Sequence, residues 1–251
     1  MNGVLKNFLI AVMIGVIAFC GYKAVQIQYG YNAEDVVHAG TMVYKPPVSS
    51  SDSAGDQTGA ATADFENQSI VDLKTKYPDA IGWITIPYTA IDYPFVQAED
   101  NGAYLDEDLD GNYALAGSIF LDYRNSKDFS DFNSILYGHH MQNETMFGAL
   151  KEFNDKDFFN TNKYGTIFLS DKTYEIQFFA YLVVHVEDDV VFSIPNDEQS
   201  ALAFQNYIKD NSRHYREISL DPKDRIVTLS TCAYEFANAR MLLLGKITQI
   251  E

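Results

Sequence analysis

A cysteine and an arginine are the residues whose types and spacing best suit chemistry. Cys232 ends a predicted strand over residues 225–232, and Arg240 begins the next one, over residues 240–250. If these strands pair as a hairpin, Cys232 and Arg240 lie side by side across the pair. A guanidinium beside a thiol favours the nucleophilic thiolate and can stabilise an oxyanion on a bound carbonyl. The alternative interpretation is an inert buried cysteine and a surface arginine.

The strand that ends at Cys232 has two faces of different polarity. Because side chains alternate along a strand, one face carries Ile226, Thr228, Ser230 and Cys232. This face is the more polar of the two, and it suits a groove better than a core. We therefore expect the thiol to open onto a groove.

Nucleophilic catalysis by a thiol also calls for a histidine, because imidazole titrates near neutral pH and can protonate a leaving amine. Three of the five histidines are expected to have other roles. His38 is expected to be remote from the domain, His185 to be structural, and His214 to be solvated. His139 and His140 end a predicted strand over residues 134–139, where adjacent side chains point to opposite faces. At most one of this pair can therefore face Cys232, and spacing alone does not choose between them.

Composition excludes several classes of protein. The chain has 251 residues, of which 47% are hydrophobic, and this is enough for one sizeable core. Acids outnumber bases 35 to 18, so binding to nucleic acid is not expected. With only two cysteines, Cys20 and Cys232, a disulfide framework and a cysteine-rich zinc site are both excluded. Phosphate-binding glycine loops and HExxH spacing are also absent from the sequence, so we expect no cofactor and assign no metal site, while the sequence does not specify whether the domain binds a metal.

The N-terminus contains a short apolar segment. Residues 8–21 carry no charge and lie between Lys6 and Lys23. With both lysines extended toward the headgroups, this segment just reaches membrane thickness. We predict an uncleaved anchor over residues 1–27, with the rest of the chain outside the cell. A cleaved signal peptide is the alternative.

A linker and a single domain follow the predicted anchor. Residues 46–63 are rich in serine, glycine and alanine and lack aromatic residues, so they bury too little apolar surface to fold. We therefore predict a flexible stalk over residues 28–63 and a folded catalytic domain over residues 64–251.

The domain is predicted to be mainly β-strand. Strands are predicted at residues 82–87, 91–96, 118–122, 134–139, 165–169, 174–186, 225–232 and 240–250. Helices are predicted at residues 65–77, 145–153 and 197–211, the last with Leu202, Phe204, Tyr207 and Ile208 toward a core. Eight strands with a few short helices favour a closed or nearly closed β-barrel.

Two motifs resemble the signature of the sortases. These are TLSTC at residues 228–232, followed by Arg240, and YGH at residues 137–139. Four further features resemble class B sortases: VQAEDNGAYL at 96–105, GSIFLDYRN at 117–125, YGHHM at 137–141 with a later MF, and the predicted helix at 197–211. The resemblance covers about residues 65–250 and implies a closed eight-stranded sortase barrel with peripheral helices and an N-terminal helix.

The resemblance also implies roles for individual residues. Cys232 matches the nucleophile, His139 the catalytic histidine and Arg240 the transition-state arginine. Residues that fall where class B enzymes bind the sorting signal are Asn101, Leu105, Tyr137 and Ser230, with Phe192, Ser193 and Ile194 in a loop expected to select the substrate. Some relatives have a glutamate directly after the cysteine, whereas this chain has Ala233 there and Glu235 two positions later.

The implied activity is that of a cysteine transpeptidase. Such an enzyme cleaves a C-terminal sorting motif, NPxTx-like or related, after Thr in a surface protein. It would hold the product as a thioester on Cys232 and transfer it to an amine of peptidoglycan or of its lipid-linked precursor. A class B pilin polymerase, a hydrolysing cysteine peptidase and a non-enzymatic surface-binding module are the alternatives. The exact pentapeptide, the acceptor amine and the oligomeric state are not specified by the sequence.

Overall fold

The protein is built around one closed β-barrel. The computed structural model describes residues 3–47, 65–233 and 235–250. Its strands are β1 (Ala80–Thr85), β2 (Asp92–Val96), β3 (Ile119–Leu121), β4 (Asn133–Tyr137), β5 (Tyr164–Leu169), β6 (Thr173–His185), β7 (His214–Tyr215), β8 (Arg225–Cys232) and β9 (Ala239–Gln249). The order β1-β2-β3-β4-β8-β9-β6-β5 returns to β1, while the two-residue β7 adds only to the outer edge of β6. The predicted closed eight-stranded barrel is therefore confirmed.

Helices decorate the barrel. They are α1 (Gly3–Thr41), α2 (Gln68–Lys76), α3 (Lys156–Thr161) and α4 (Glu198–Asn211), with 3₁₀ turns at Met42–Tyr44, Ala103–Leu105 and Gly148–Asn154. The helix predicted at 145–153 is a shorter 3₁₀ helix that starts later, because Glu144 and Met146 have left-handed φ angles of 70° and 53°. A right-handed helix cannot run through those positions, and a 3₁₀ helix begins only at Gly148.

The N-terminal helix extends further than the predicted anchor. It continues to Thr41, and the ring of His38 packs 4.5 Å from that of Tyr93. Lys45 pairs with Asp92 at 2.5 Å. His38 thus contacts the barrel, contrary to expectation, and the first part of the predicted stalk is helical, while residues 48–64 lie outside the described residues. In the described part of the chain, no helix combines the length and apolarity that a membrane crossing needs.

Both faces of β8 are covered along most of its length. Val227 and Leu229 point into the barrel core. On the outside, Ile226 packs in a second cluster with Phe204 and Ile208 of α4. Fully burying one such side chain contributes about 1.5–3 kcal/mol, so this layer holds β8 firmly. Leu202, predicted to face this core, is instead 49% exposed.

Candidate active site

Cys232 and Arg240 form the last residue pair of the β8–β9 ladder. Beyond them a short loop turns the chain, closed by a hydrogen bond from the Ala233 amide to the Ala239 carbonyl at 2.9 Å. Asn238 in this loop adopts a left-handed φ of 59°. Because antiparallel partners point to the same face, the thiol and the guanidinium project from the same side of the sheet. Cys232 is half-buried, so its thiol is within reach of solvent.

His139 reaches the same end of the barrel through strand pairing. β4 runs parallel to β8 with Tyr137 opposite Ser230, and the Gly138 amide donates to the Ser230 carbonyl at 3.2 Å. β4 ends at Tyr137, two residues earlier than predicted. A side chain at Gly138 would collide with Ile119 and Phe147, so glycine is required for this close approach.

The imidazole of His139 is oriented by a backbone carbonyl. Its Nε2 lies 2.6 Å from the carbonyl oxygen of Leu105. A carbonyl only accepts hydrogen bonds, so Nε2 carries a proton and Nδ1 is the nitrogen that takes up and releases the second one.

One cleft of about 330 Å³ joins these groups. Its lining residues are Asn101, Leu105, Phe120, Tyr137, Gly138, His139, Val186, Phe192, Ser230, Thr231, Cys232 and Arg240. Six other predicted site residues therefore line the same cleft as Cys232 and Arg240. These eight residues come from five separate segments of the chain that meet at the cleft. The hydroxyl of Ser230 is buried and, among the described residues, has no hydrogen-bond partner.

The predicted selectivity loop contributes only one of its three named residues to this lining. Phe192 stacks on Tyr137 with ring centroids 6.4 Å apart. Ser193 instead holds the loop itself, since its hydroxyl donates to the Val190 carbonyl at 2.7 Å. Within the described residues, neither Ser193 nor Ile194 belongs to the cleft lining.

Sequence reasoning missed the polar group behind the cleft wall. Asp122 is fully buried, and its carboxylate accepts hydrogen bonds from Asn101 at 3.1 Å and from Tyr137 at 3.0 Å. It also accepts hydrogen bonds from Nε and Nη2 of Arg124, each at 2.8 Å. Burial opposes ionisation of this carboxyl, but the donors led by Arg124 outweigh it and lower the pKa of Asp122. The signal was present in GSIFLDYRN, which contains both Asp122 and Arg124.

His140 and Glu235 lie on the other side of Cys232. Nδ1 of His140 is 2.8 Å from the Cys232 carbonyl oxygen, and His140 lines a separate cavity of about 340 Å³. Glu235 forms an ion pair with Arg213, and hydrogen bonding from that guanidinium lowers the pKa of Glu235. Glu235 is therefore held away from the cleft that Cys232 lines.

Metal ligands do not cluster in the described residues: no group of three or more His, Cys, Asp or Glu side chains there could hold an ion.

Comparison with known proteins decides the family. The family model described as "Sortase domain" matches residues 84–248. The chain belongs to the sortase family. It is 31% identical to Sortase B of Listeria monocytogenes over 249 residues, which are 97% of this chain and 96% of the relative. Sortases are cysteine transpeptidases of the Gram-positive cell surface.

Solved sortases share the fold. A Staphylococcus aureus sortase B–substrate complex is 28% identical, with a TM-score of 0.69 and coverage of 74% of this chain and 87% of that one. A Streptococcus pyogenes class B sortase involved in pilus biogenesis is 38% identical, with a TM-score of 0.65 and coverage of 71% and 97%. The resemblance to class B sortases seen in the sequence is thus confirmed.

Proposed function

We propose that this sortase attaches surface proteins to a cell-wall amine through a thioester on Cys232. The observation that supports this most directly is the single cleft lined by Cys232, His139 and Arg240. A nucleophile, a proton carrier and an oxyanion stabiliser are the three groups that acyl transfer from an amide requires.

The first half-reaction forms the thioester. The Cys232 thiolate attacks the Thr carbonyl of a sorting motif, NPxTx-like or related, in the cleft. Arg240 stabilises the negative charge that develops on the carbonyl oxygen. As the amide C–N bond breaks, the imidazolium of His139 gives its Nδ1 proton to the departing nitrogen. The C-terminal peptide leaves as an amine, and the rest of the surface protein stays on the sulfur.

The second half-reaction transfers the acyl group. An amine of peptidoglycan, or of its lipid-linked precursor, attacks the thioester carbonyl and passes a proton to neutral His139. The C–S bond breaks, the thiolate is restored and a new amide is formed. Water in place of the amine would give hydrolysis, so the identity of the acceptor separates a transpeptidase from a peptidase.

The test is a product analysis by mass. The purified protein is incubated with a library of sorting-like peptides and with candidate wall amines, such as glycine oligomers and diaminopimelate peptides. We expect a product that joins the N-terminal peptide fragment to one amine. Hydrolysis alone, at every amine concentration, would contradict the proposed transfer. Full peptide cleavage by Cys232→Ala would contradict the proposed nucleophile.

A second candidate is pilin polymerisation, in which a lysine side chain of another protein is the acceptor. The similarity of this chain to a Streptococcus pyogenes class B sortase involved in pilus biogenesis is the observation that favours this second candidate. Adding lysine-bearing peptides to the same library separates the two, because a polymerase joins the fragment to the lysine Nζ in preference to wall amines.

We also propose that residues 1–27 attach the enzyme to the membrane, with residues 28–63 leading to a catalytic unit at 64–251. The uncharged stretch at residues 8–21 between Lys6 and Lys23 supports attachment. The full-length protein should stay in the membrane pellet after alkaline carbonate extraction. Release into the supernatant, or a mature mass that lacks the N-terminal residues, would contradict it.

A further inference from the structure

Asp122 lies behind the part of the cleft lining that Asn101 and Tyr137 form, called here the wall. It follows the end of β3, is completely buried and does not itself line the cleft. Its backbone amide donates to the Ile135 carbonyl at 2.8 Å, and its own carbonyl accepts from Gln97 at 2.8 Å. Its position is therefore fixed independently of its side chain.

Three cleft residues from different parts of the chain depend on this one carboxylate. Asn101 and Tyr137 donate directly to Oδ2. Arg124 binds both carboxylate oxygens and also donates to the backbone carbonyl of Phe192 at 3.1 Å. Asn101 precedes β3, Tyr137 ends β4 and Phe192 follows β6, so no local element holds them together.

The charge of Asp122 determines which hydrogen-bonding groups the wall can offer. An ionised carboxylate only accepts, so the Tyr137 hydroxyl must direct its hydrogen to Asp122. Arg124 also hydrogen-bonds to this hydroxyl, which can therefore present a lone pair, and not a hydrogen, to a ligand. The Oδ1 atom of Asn101 accepts the Tyr123 amide at 3.0 Å and one hydrogen of Nδ2 goes to Asp122, which leaves the second hydrogen of Nδ2 as the remaining donor of this side chain. The groups that Asp122 orients in the wall are thus an acceptor, on Tyr137, and a donor, on Asn101.

We propose that Asp122 is a positioning residue that sets the polarity and spacing of the peptide-binding wall, so that it recognises an amide group of the sorting peptide. An amide, in the backbone or in a carboxamide side chain, is the group that provides one donor and one acceptor to match. Arg124 neutralises the buried charge and carries its influence to the Phe192 loop. This inference rests on the proposed function, because it takes the occupant of the cleft to be a sorting peptide.

The test measures peptide binding without turnover. In a Cys232→Ala background, Kd is measured by fluorescence anisotropy with a labelled sorting peptide selected in the acceptor experiment. We expect Asp122→Asn to raise Kd about tenfold, the effect of losing one well-formed hydrogen bond between the wall and the peptide when Tyr137 is no longer oriented by the carboxylate. Asp108→Asn is the matched control, since Asp108 is also a buried carboxylate that caps its own loop, outside the cleft. Its Kd should not change.

A double-mutant cycle identifies the route of the effect. If Asp122 acts through the Tyr137 hydroxyl, Asp122→Asn should raise Kd by a much smaller factor in a Tyr137→Phe background than it does alone. Iodoacetamide alkylation of Cys232 in the Asp122→Asn enzyme should keep the wild-type rate, because the nucleophile is untouched. Tyr137→Phe alone should also raise Kd about tenfold, so the inference stays testable if Asp122→Asn does not fold.

An unchanged Kd in folded Asp122→Asn or in Tyr137→Phe would overturn the inference, as would full additivity in the cycle. These outcomes are separate from those of the proposed function. A wild-type enzyme that hydrolysed peptide and never transferred it would overturn transfer and leave the Kd comparison intact.

Discussion

Cys232 and Arg240 face each other as the terminal pair of two antiparallel strands, where the ladder stops and the loop begins. Nη1 of Arg240 donates to the neighbouring Ala239 carbonyl at 3.0 Å, which holds the guanidinium at the strand end. The pairing register itself therefore places a permanent positive charge beside the thiol, with no contribution from a flexible loop.

The first prediction concerns this arginine. Arg240→Ala should lower kcat by about 10²–10³-fold, the usual cost of removing one oxyanion donor, with a much smaller change in KM. Arg240→Lys should recover only part of the loss, because an ammonium lacks the planar pair of donors. Lys246→Ala on the same strand is the control, since Lys246 binds Asp224 and lies outside the cleft. Steady-state kinetics that show an Arg240→Ala loss confined to KM would contradict this role.

The second prediction concerns the carbonyl that orients His139. Gly117 has a left-handed φ of 56°, and a Cβ there would lie 2.5 Å from the Leu105 carbonyl oxygen. Gly117→Ala should therefore displace that oxygen from His139 and lower kcat by tenfold or more, since an error of about 1 Å can cost about 10²-fold.

Gly111→Ala is its matched control. Gly111 also has a positive φ, of 77°, but a Cβ there meets nothing within 4 Å. The two variants share the backbone strain, and only Gly117→Ala disturbs the contact with His139. Equal kcat values for the two would show that the Leu105 carbonyl does not matter to catalysis.

The third prediction concerns the stability of the layer behind β8. Phe204 of α4 is fully buried against the sheet, so Phe204→Ala should lower the free energy of unfolding by about 3–5 kcal/mol. Leu202→Ala on the same helix should change it little, because Leu202 is exposed. Urea unfolding provides the measurement. Similar losses for both variants would mean that α4 packs on a different face.

The fourth prediction is a pH dependence. The folded pKa of Asp122 lies below its ordinary value of 3.8, so the ionised carboxylate stabilises the fold at neutral pH. This contribution is present above pH 4 and is lost as pH falls through the folded pKa. Asp122→Asn should therefore be less stable than wild type at pH 7, and the difference should narrow below pH 4. Thermal unfolding that gives a constant difference from pH 7 to pH 3 would contradict the charge-based explanation.

Local sequence patterns predicted the bounds of those strands and helices that have a clear hydrophobic periodicity and clear capping residues. The bounds of β8 agree with the structure, and α4 begins directly after Asp197, whose side chain accepts the Ser200 amide. The pairing of Cys232 with Arg240 followed from the hairpin spacing alone. In each case neighbours in sequence determine the geometry.

Features that depend on distant residues could not be predicted in this way. Two of the hydrogen-bond partners of Asp122, Asn101 and Tyr137, are 21 and 15 positions away along the chain, and this geometry exists only once the barrel has closed. His38 reaches Tyr93 across an even longer separation. The loop of Ser193 illustrates the same limit, because a resemblance can place a residue in a loop without saying which side chains enter the cleft.

The fifth prediction tests the central claim most directly: Cys232 holds the severed peptide during the reaction. The enzyme is mixed, in the absence of an acceptor amine, with an intact sorting peptide that it cleaves, and the reaction is quenched in acid and analysed by intact mass and peptide mapping. We predict an adduct with the mass of the N-terminal fragment less one water, located on Cys232 and released by hydroxylamine. Cys20→Ser, which alters the exposed second cysteine, should give the same adduct. Turnover with no adduct on Cys232, or with the adduct on another residue, would contradict the account.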